Sequence, residues 1–294
     1  MRRLVLALVG VAAAAPLCAG GTFRFRDTGS TSLELSEDGK PVFVYNYGML
    51  LKAGVKEQYR RSTYLHPVYA PDGAVLTEDF PKDHPHHRGI CWAWPAVRFE
   101  GQTYDVWAVQ GMHQRFVRWI SKQASFGQAR LAVENGWFVG DRKAVKEIVE
   151  FVVHPAAGGR RGFDVALTLE AVDQPVEIAG REKKGYGGLG MRFAPREDTI
   201  IRTDAGVEPK DSDLSVHPWA ELEAVFAGHR AGARIEVNPG NPGAPNGWCL
   251  RHYGYLGVSW PGLQSWTLRR GKPLTLRYRV TLFSSGGVSS SSRR

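Results

Sequence analysis

The sequence predicts an all-β protein built as an antiparallel β-sandwich. Three observations carry the prediction. Apolar residues recur with a period of two through most of the 294-residue chain, helical stretches are few and weak, and short runs end at turn signals such as Asp38-Gly39, Asp72-Gly73, Ala157-Gly158-Gly159 and Arg270-Gly271. In chain order, Pro41-Val42-Phe43-Val44-Tyr45, Ile90 to Phe99, Ile148 to Val153, Leu222 to Phe226 and Tyr255 to Trp260 are aromatic and β-branched runs that suit strands. Val165-Leu167-Leu169-Ala171 alternates with Asp164, Ala166, Thr168 and Glu170, and Leu274-Leu276-Tyr278-Val280-Leu282 alternates with Thr275, Arg277, Arg279 and Thr281. Each pattern predicts a strand with one wet face. Many short strands without amphipathic helices between them imply antiparallel sheets stacked face to face.

The ends predict an exported protein. Arg2 and Arg3 precede an apolar stretch from Leu4 to Ala15 and small residues at Ala19-Gly20-Gly21, the three-part layout of a secretory signal over residues 1–19. That stretch is too short for a membrane span, which needs roughly 20 apolar residues, so no stable membrane insertion is expected. Cys18 lacks the small-residue context of a lipid anchor. Residues 20–285 are expected to form one β-sandwich domain, and the Ser-rich segment 286–294 a disordered tail. The location is periplasmic or extracellular, where Cys91 and Cys249 could pair. A hydrophobic content of 43% with nine Trp excludes a disordered chain. The net charge of +9 is scattered, with no basic stripe or recognition helix, so nucleic acid is not an expected partner while an anionic sugar such as a uronate is compatible.

One window is dense in chemistry. Glu78 to Arg88 reads EDFPKDHPHHR, three carboxylates, three imidazoles and a guanidinium in eleven positions. Pro85 bars a helix, and on an extended backbone His84 and His86 project to one side and His87 to the other. His84 and His86 on one side are a way to offer two imidazoles to a metal, with Asp83 or Glu78 completing or orienting the set. The same residues, His84, His86 and His87 tuned by Asp83 and Glu78, suit general acid/base catalysis. A second segment runs from Trp248 to Gly254. Trp248 and Tyr253 offer ring faces for a sugar, Arg251 a clamp for a carboxylate, and His252 lies on the opposite side of the strand from Arg251. Arg88 joins Arg251 as a candidate substrate contact, His66 and His113 are weaker lone histidines, and Lys184 and Arg192 could point into a site. Trp92, Trp94 and Trp107 are expected in the core.

Several stretches resemble the PmoA-like family of bacterial proteins. They are Tyr64-Leu65-His66-Pro67-Val68-Tyr69, Pro71-Asp72-Gly73, Thr77 to Pro81, Asp83 to Gly89, Trp92-Ala93-Trp94, and later Tyr186-Gly187-Gly188-Leu189 with Arg192, Asn241-Pro242, Trp248, Arg251, Tyr253-Gly254 and Gly271. The family carries a methane oxygenase label, but that membrane copper activity does not carry over to a chain with no spanning stretch. The resemblance implies a secreted β-sandwich protein associated with polysaccharide degradation, with a fold similar to the galactose-mutarotase supersandwich. This chain departs from the family at Asn238, where relatives have a His, so that role is either lost or taken by His252.

The leading expectation is therefore an exported carbohydrate-active enzyme, a lyase, dehydratase or hydrolase, that acts on oligosaccharides, uronate-containing ones included. It would work by His/carboxylate acid/base catalysis and require no cofactor. One alternative is a divalent-metal enzyme, oxygenase or hydrolase, with His84, His86 and Asp83 as ligands. Another is a sugar-binding module without catalysis.

Overall fold

The computed structural model describes residues 20–285; the expected signal over 1–19 and the tail over 286–294 lie outside the described residues. Apart from the 3-10 turn Glu57–Tyr59, the regular structure is β, as the period-two pattern predicts. The strands form an antiparallel sandwich of two nine-stranded sheets, with a smaller four-stranded sheet beside them.

In the first large sheet the order is Phe23–Thr28, Ser32–Glu37, Lys40–Asn46, Tyr64–Val68, Ile90–Ala93, Gly188–Arg192, Tyr255–Ser259, Gly247–Arg251 and Ser212–Val216. In the second it is Gly206–Glu208, Glu197–Thr203, Trp219–Phe226, His229–Val237, Leu274–Ser284, Arg160–Ala171, Arg142–Val153, Gln128–Val139 and His113–Ser125. Val165, Leu167, Leu169 and Ala171 face inward, as do Leu274, Leu276, Tyr278, Val280 and Leu282. The run Ile90 to Phe99 is not one strand. It divides at Trp94-Pro95 into Ile90–Ala93 and Ala96–Phe99, and the second piece joins the small sheet. Proline has no N–H for a ladder, so the chain leaves one sheet there and enters another.

The two large sheets meet through aromatic side chains. Phe43 of the first packs against Phe151 and Phe163 of the second at 5.8 and 6.0 Å between centroids, and Trp92 meets Phe151 at 6.1 Å. A single carboxylate, Glu147, is fully buried between the sheets. It accepts hydrogen bonds from Gln114 Nε2 at 3.0 Å, Asn135 Nδ2 at 2.9 Å and Trp137 Nε1 at 2.7 Å. Three donors compensate a charge that would otherwise be costly in the core.

Candidate functional site

The site is built on the outer face of the first large sheet, and strand register decides which residues reach it. Cys249 pairs with Gly257 and Arg251 with Tyr255; on the next strand Gly190 pairs with Gly257 and Arg192 with Tyr255, and Cys91 pairs with Gly190. Side chains alternate along a strand, so these residues share one face while Trp248, Leu250, Leu256, Met191 and Trp92 point into the core. Two glycines make room on that face. A Cβ at Gly190 would lie 1.9 Å from the Tyr255 hydroxyl, and one at Gly257 would lie 2.5 Å from the same ring. Tyr255 therefore lies across bare strand, which is the close approach a glycine inside a strand signals.

The histidine segment closes over this floor, but not as an extended chain. The His87 N–H donates to the His84 carbonyl at 2.9 Å, a turn with Pro85 and His86 at its corner. Pro85 presets the turn's dihedral angle, so all three rings gather on one side, contrary to the alternation expected of extended backbone. His84 stacks on His87 at 4.7 Å and on Tyr253 at 5.2 Å, His86 meets His87 edge-on at 4.7 Å, and His87 lies 5.0 Å from Tyr255. These rings, with Trp107, Tyr186, Lys184, Cys249 and Arg251, line a cavity of about 220 Å³. That is below the roughly 300–1,000 Å³ of drug-sized pockets, so it suits a single ring-sized group. A larger cavity of about 640 Å³ lies over the second sheet. It gathers no histidine, and its Asp164 and Arg279 pair with each other at 2.7 Å.

An ordered chain of charges leads into the smaller cavity. Arg192 Nη2 donates to Asp83 Oδ1 at 2.8 Å, its Nε donates to Glu78 Oε2 at 3.2 Å, and its guanidinium lies 5.0 Å over the Tyr253 ring. Asp83 Oδ2 lies 2.9 Å from His84 Nδ1. Burial works against the Asp83 charge, but hydrogen bonds from His84 and Arg192 prevail and hold its carboxyl below the usual range. An ionised carboxylate only accepts, so Nδ1 of a neutral His84 carries the proton and Nε2 keeps its lone pair. Burial, reinforced by the charges of His84, Arg61, Arg88 and Arg181, pulls His86 down to about 3. Burial likewise holds His87 well below its ordinary value. Burial pushes Tyr253 and the Cys249 thiol each up to about 12, and Tyr255 well above the ordinary tyrosine value. At neutral pH the cavity thus presents uncharged His86 and His87, protonated Tyr253, Tyr255 and Cys249, the cation Lys184, and an Arg251 whose guanidinium is paired with Asp213 and donates to the Ser212 and Leu250 carbonyls.

Several expected contacts are corrected. Arg88 is fully buried and touches no cavity: it donates to the carbonyls of Tyr59, Pro85 at 2.6 Å and His87 at 3.0 Å, pairs with Asp79 at 3.1 Å and lies 3.3 Å over the Phe80 ring. It is the bracket of the histidine turn. Trp248 offers no sugar-stacking face, because its place opposite Val258 turns it into the core, where Nε1 donates to the His217 carbonyl at 2.8 Å. His252 follows the strand end, bonds Asp211 at 2.9 Å and does not line the cavity. His66 bonds Thr77 Oγ1 at 3.0 Å outside the cavity, and burial followed by the Arg88 charge lowers it to about 4. Glu78 is bound to Arg192 and does not line the cavity.

Cys91 and Cys249 are both free and buried. Three strand steps, roughly 14 Å at about 4.8 Å each, separate them, beyond the roughly 7 Å a disulfide spans. Among the described residues no group of three or more His, Cys, Asp or Glu side chains is arranged to hold a metal ion. In the expected ligand set of His84, His86 and Asp83, the Nδ1 of His84 is bonded to Asp83 at 2.9 Å and the His84 and His86 rings meet edge-on at 5.8 Å between centroids.

Tyr253, Arg251, Lys184 and the three histidines do meet, so two loops far apart in sequence complete one cavity. Sequence reasoning missed Tyr255, Tyr186 and Trp107. Gly190 and Gly257, each inside a strand, were the signal for Tyr255; nothing local distinguishes Trp107 from its core neighbours.

No helix among the described residues is long and apolar enough to cross a membrane. No curated protein matches the sequence. Solved structures similar to the chain include a heparinase III (11% identity, TM-score 0.33, 89% of this chain and 31% of that one). They also include a putative kojibiose phosphorylase from human microbiome (10%, 0.37, 90% and 30%) and an aldose epimerase homologue from C. elegans (7%, 0.36, 91% and 99%). The chain spans about a third of the length of the heparinase. The PmoA-like assignment is overturned, because the family model that matches is a different one. Over residues 32–291 the chain belongs to the family of unknown function DUF6807.

Proposed function

We propose that the chain is an enzyme that acts on a uronate-bearing saccharide by β-elimination, with His84 as general base. The observation that carries the reading is the relay from Arg192 through Asp83 to His84, which ends in a cavity that also holds protonated tyrosines and Lys184. In the step, Nε2 of His84 takes the proton from the carbon next to the carboxylate. The freed electron pair forms the carbon–carbon double bond, the bond to the leaving oxygen breaks, and the hydroxyl of Tyr253 or Tyr255 gives that oxygen its proton. Lys184 offsets the substrate carboxylate and the negative charge that builds on it, with Arg251, already paired with Asp213, beside it. The bound anion also raises the proton affinity of His86 and His87, which burial and then the surrounding charges depress. Hydrolysis by two carboxylates fits less well, because Glu78 and Asp83 are both bound to the same arginine.

The proposal includes export through the segment 1–19 and a carbohydrate as the partner. Incubation with uronate-containing oligosaccharides tests it by the ultraviolet absorbance of the conjugated product. Saturated products alone, or no turnover across acidic glycans, would overturn elimination.

A further inference from the structure

The histidine cavity is a pit rather than a through-going groove. His87, Trp107, Cys249 and Tyr255 are buried at its floor, while Lys184, His84 and Tyr253 stand partly exposed at its rim. Along the strands it stops short. Arg251 and Cys249 line it, but Gly247, the next residue on that face, lines a separate space of about 370 Å³. The divider is Leu214. It is the extra residue of a β-bulge, set between Asp213, which pairs with Cys249, and Ser215, which pairs with Trp248. A bulge re-aims a side chain, and this one sends Leu214 against the turn that carries Lys184. A Cβ on Gly185 would meet the Leu214 side chain at 2.3 Å, and one on Gly247 would lie 3.3 Å from it.

The bulge is strained and held. Leu214 takes a φ of 62°, in the left-handed region where a Cβ crowds the following carbonyl. Arg251 fastens the residues before it, donating to the Ser212 carbonyl at 2.7 Å and pairing with Asp213, and the Ser212 and Ser215 hydroxyls meet at 3.0 Å across it. Strain of this kind persists only where the surroundings impose it, and it collects at functional sites. Here it stands one apolar side chain as a partition between two cavities, and it accounts for an arginine at the site that is spent on its own strand edge.

We propose that Leu214 is the end wall of the site and that the enzyme is exolytic, seating the reducing-terminal uronate of a chain and releasing one unsaturated sugar at each turnover. The proposal rests on the elimination reading at His84. A cavity of about 220 Å³ takes one sugar ring, and a single mouth lets the rest of the chain leave in one direction only. Elimination expels the oxygen through which the uronate carries the preceding sugar, so a uronate at the non-reducing terminus has nothing to expel. The seated ring is therefore the reducing-terminal one, with its leaving oxygen toward the mouth. His84 takes the proton next to the carboxylate, the double bond forms and the bond to that oxygen breaks. Once protonated, the oxygen is the anomeric hydroxyl of a chain one unit shorter.

The test is digestion of uronate tetramers by the whole protein, with products followed by mass spectrometry from the earliest times. The comparator is the same tetramer with its reducing-terminal ring reduced to an open-chain alditol. The first products expected of the wild type are an unsaturated monosaccharide and a saturated trimer, with the reduced tetramer at least about tenfold slower. Leu214→Gly opens the partition onto the neighbouring space, and glycine suits the left-handed φ, so the fold is kept. The terminal ring can then pass the wall while the next one reacts at His84, and the ratio of unsaturated disaccharide to monosaccharide should rise at least about tenfold. Unsaturated fragments of two or more units as the first wild-type products, or an unchanged ratio in Leu214→Gly, overturn the end wall and leave elimination standing. No unsaturated product from either tetramer overturns both.

Discussion

Replacing Arg88 with Met should destabilise the protein by about 3–5 kcal/mol at pH 7, the cost of stripping one partner from a buried ion pair. The chain of reasoning is local. Arg88 is fully buried and satisfies the carbonyls of Tyr59, Pro85 and His87 while facing Asp79. Met preserves most of the stem's packing, so the loss is polar. Burial, opposed by Arg88, raises Asp79 to about 6. Above pH 6 the wild-type pair is charged and the variant strands a buried carboxylate. Near pH 4.5 Asp79 is protonated and neutral, and only the stranded carbonyls count, about 1–3 kcal/mol. The penalty should therefore shrink on acidification. Urea unfolding of wild type and Arg88→Met at pH 4.5 and 7.5 measures both quantities. A penalty below about 1 kcal/mol, or one that does not change between the two pH values, would refute the bracket role. Arg88→Lys should recover only part of the loss, because a single ammonium cannot reach three carbonyls and a carboxylate together.

Acid should weaken the fold. His66 and His86, lowered to about 4 and 3, and His87, held well below its ordinary value by burial, stay neutral in the native state but bind protons once unfolded. Stability is thus lost as pH falls below about 6.5, at roughly 1.4 kcal/mol per pH unit for each histidine. Asp79, raised to about 6, works in the opposite sense between about pH 6 and 4 and cancels one of the three. Unfolding free energies across pH 4–7 check the net slope; a flat profile contradicts it. Glu147→Gln should cost about 1–3 kcal/mol, because the amide NH₂ must face one of the donors from Gln114, Asn135 and Trp137. Denaturant midpoints decide it. Asp83→Asn should lower kcat more than it changes KM, because an amide can donate to His84 Nδ1 and move the proton to Nε2, removing the base. Imidazole nitrogen shifts in the variant report the tautomer directly.

The strands were legible because their pattern is local. Val165 to Ala171 and Leu274 to Leu282 alternate in sequence as they alternate in the sheet. Half of the site was legible for a related reason: the density of His84, His86, His87 and Asp83 in one turn survives folding whatever the turn's shape. What failed depends on distant partners. Trp248 and Arg251 sit on opposite faces of one strand, and only pairing with Tyr255 and Val258 decides which face meets water. Arg88 reads like any basic residue beside a histidine cluster, yet the carbonyl of Tyr59, remote in the chain, draws it inward. In the sequence Pro85 signals only a break in helix, whereas its stronger effect is to fold the turn between His84 and His87.

The central claim is that His84, oriented by Asp83 and Arg192, is the base of an elimination reaction. The most direct measurement is the steady-state rate of His84→Gln against wild type on a uronate-containing oligosaccharide that the wild type turns over. The account predicts a fall in kcat of about 10²–10⁴, the usual contribution of a positioned base, with KM little changed. A variant that keeps kcat within about tenfold of wild type would contradict it.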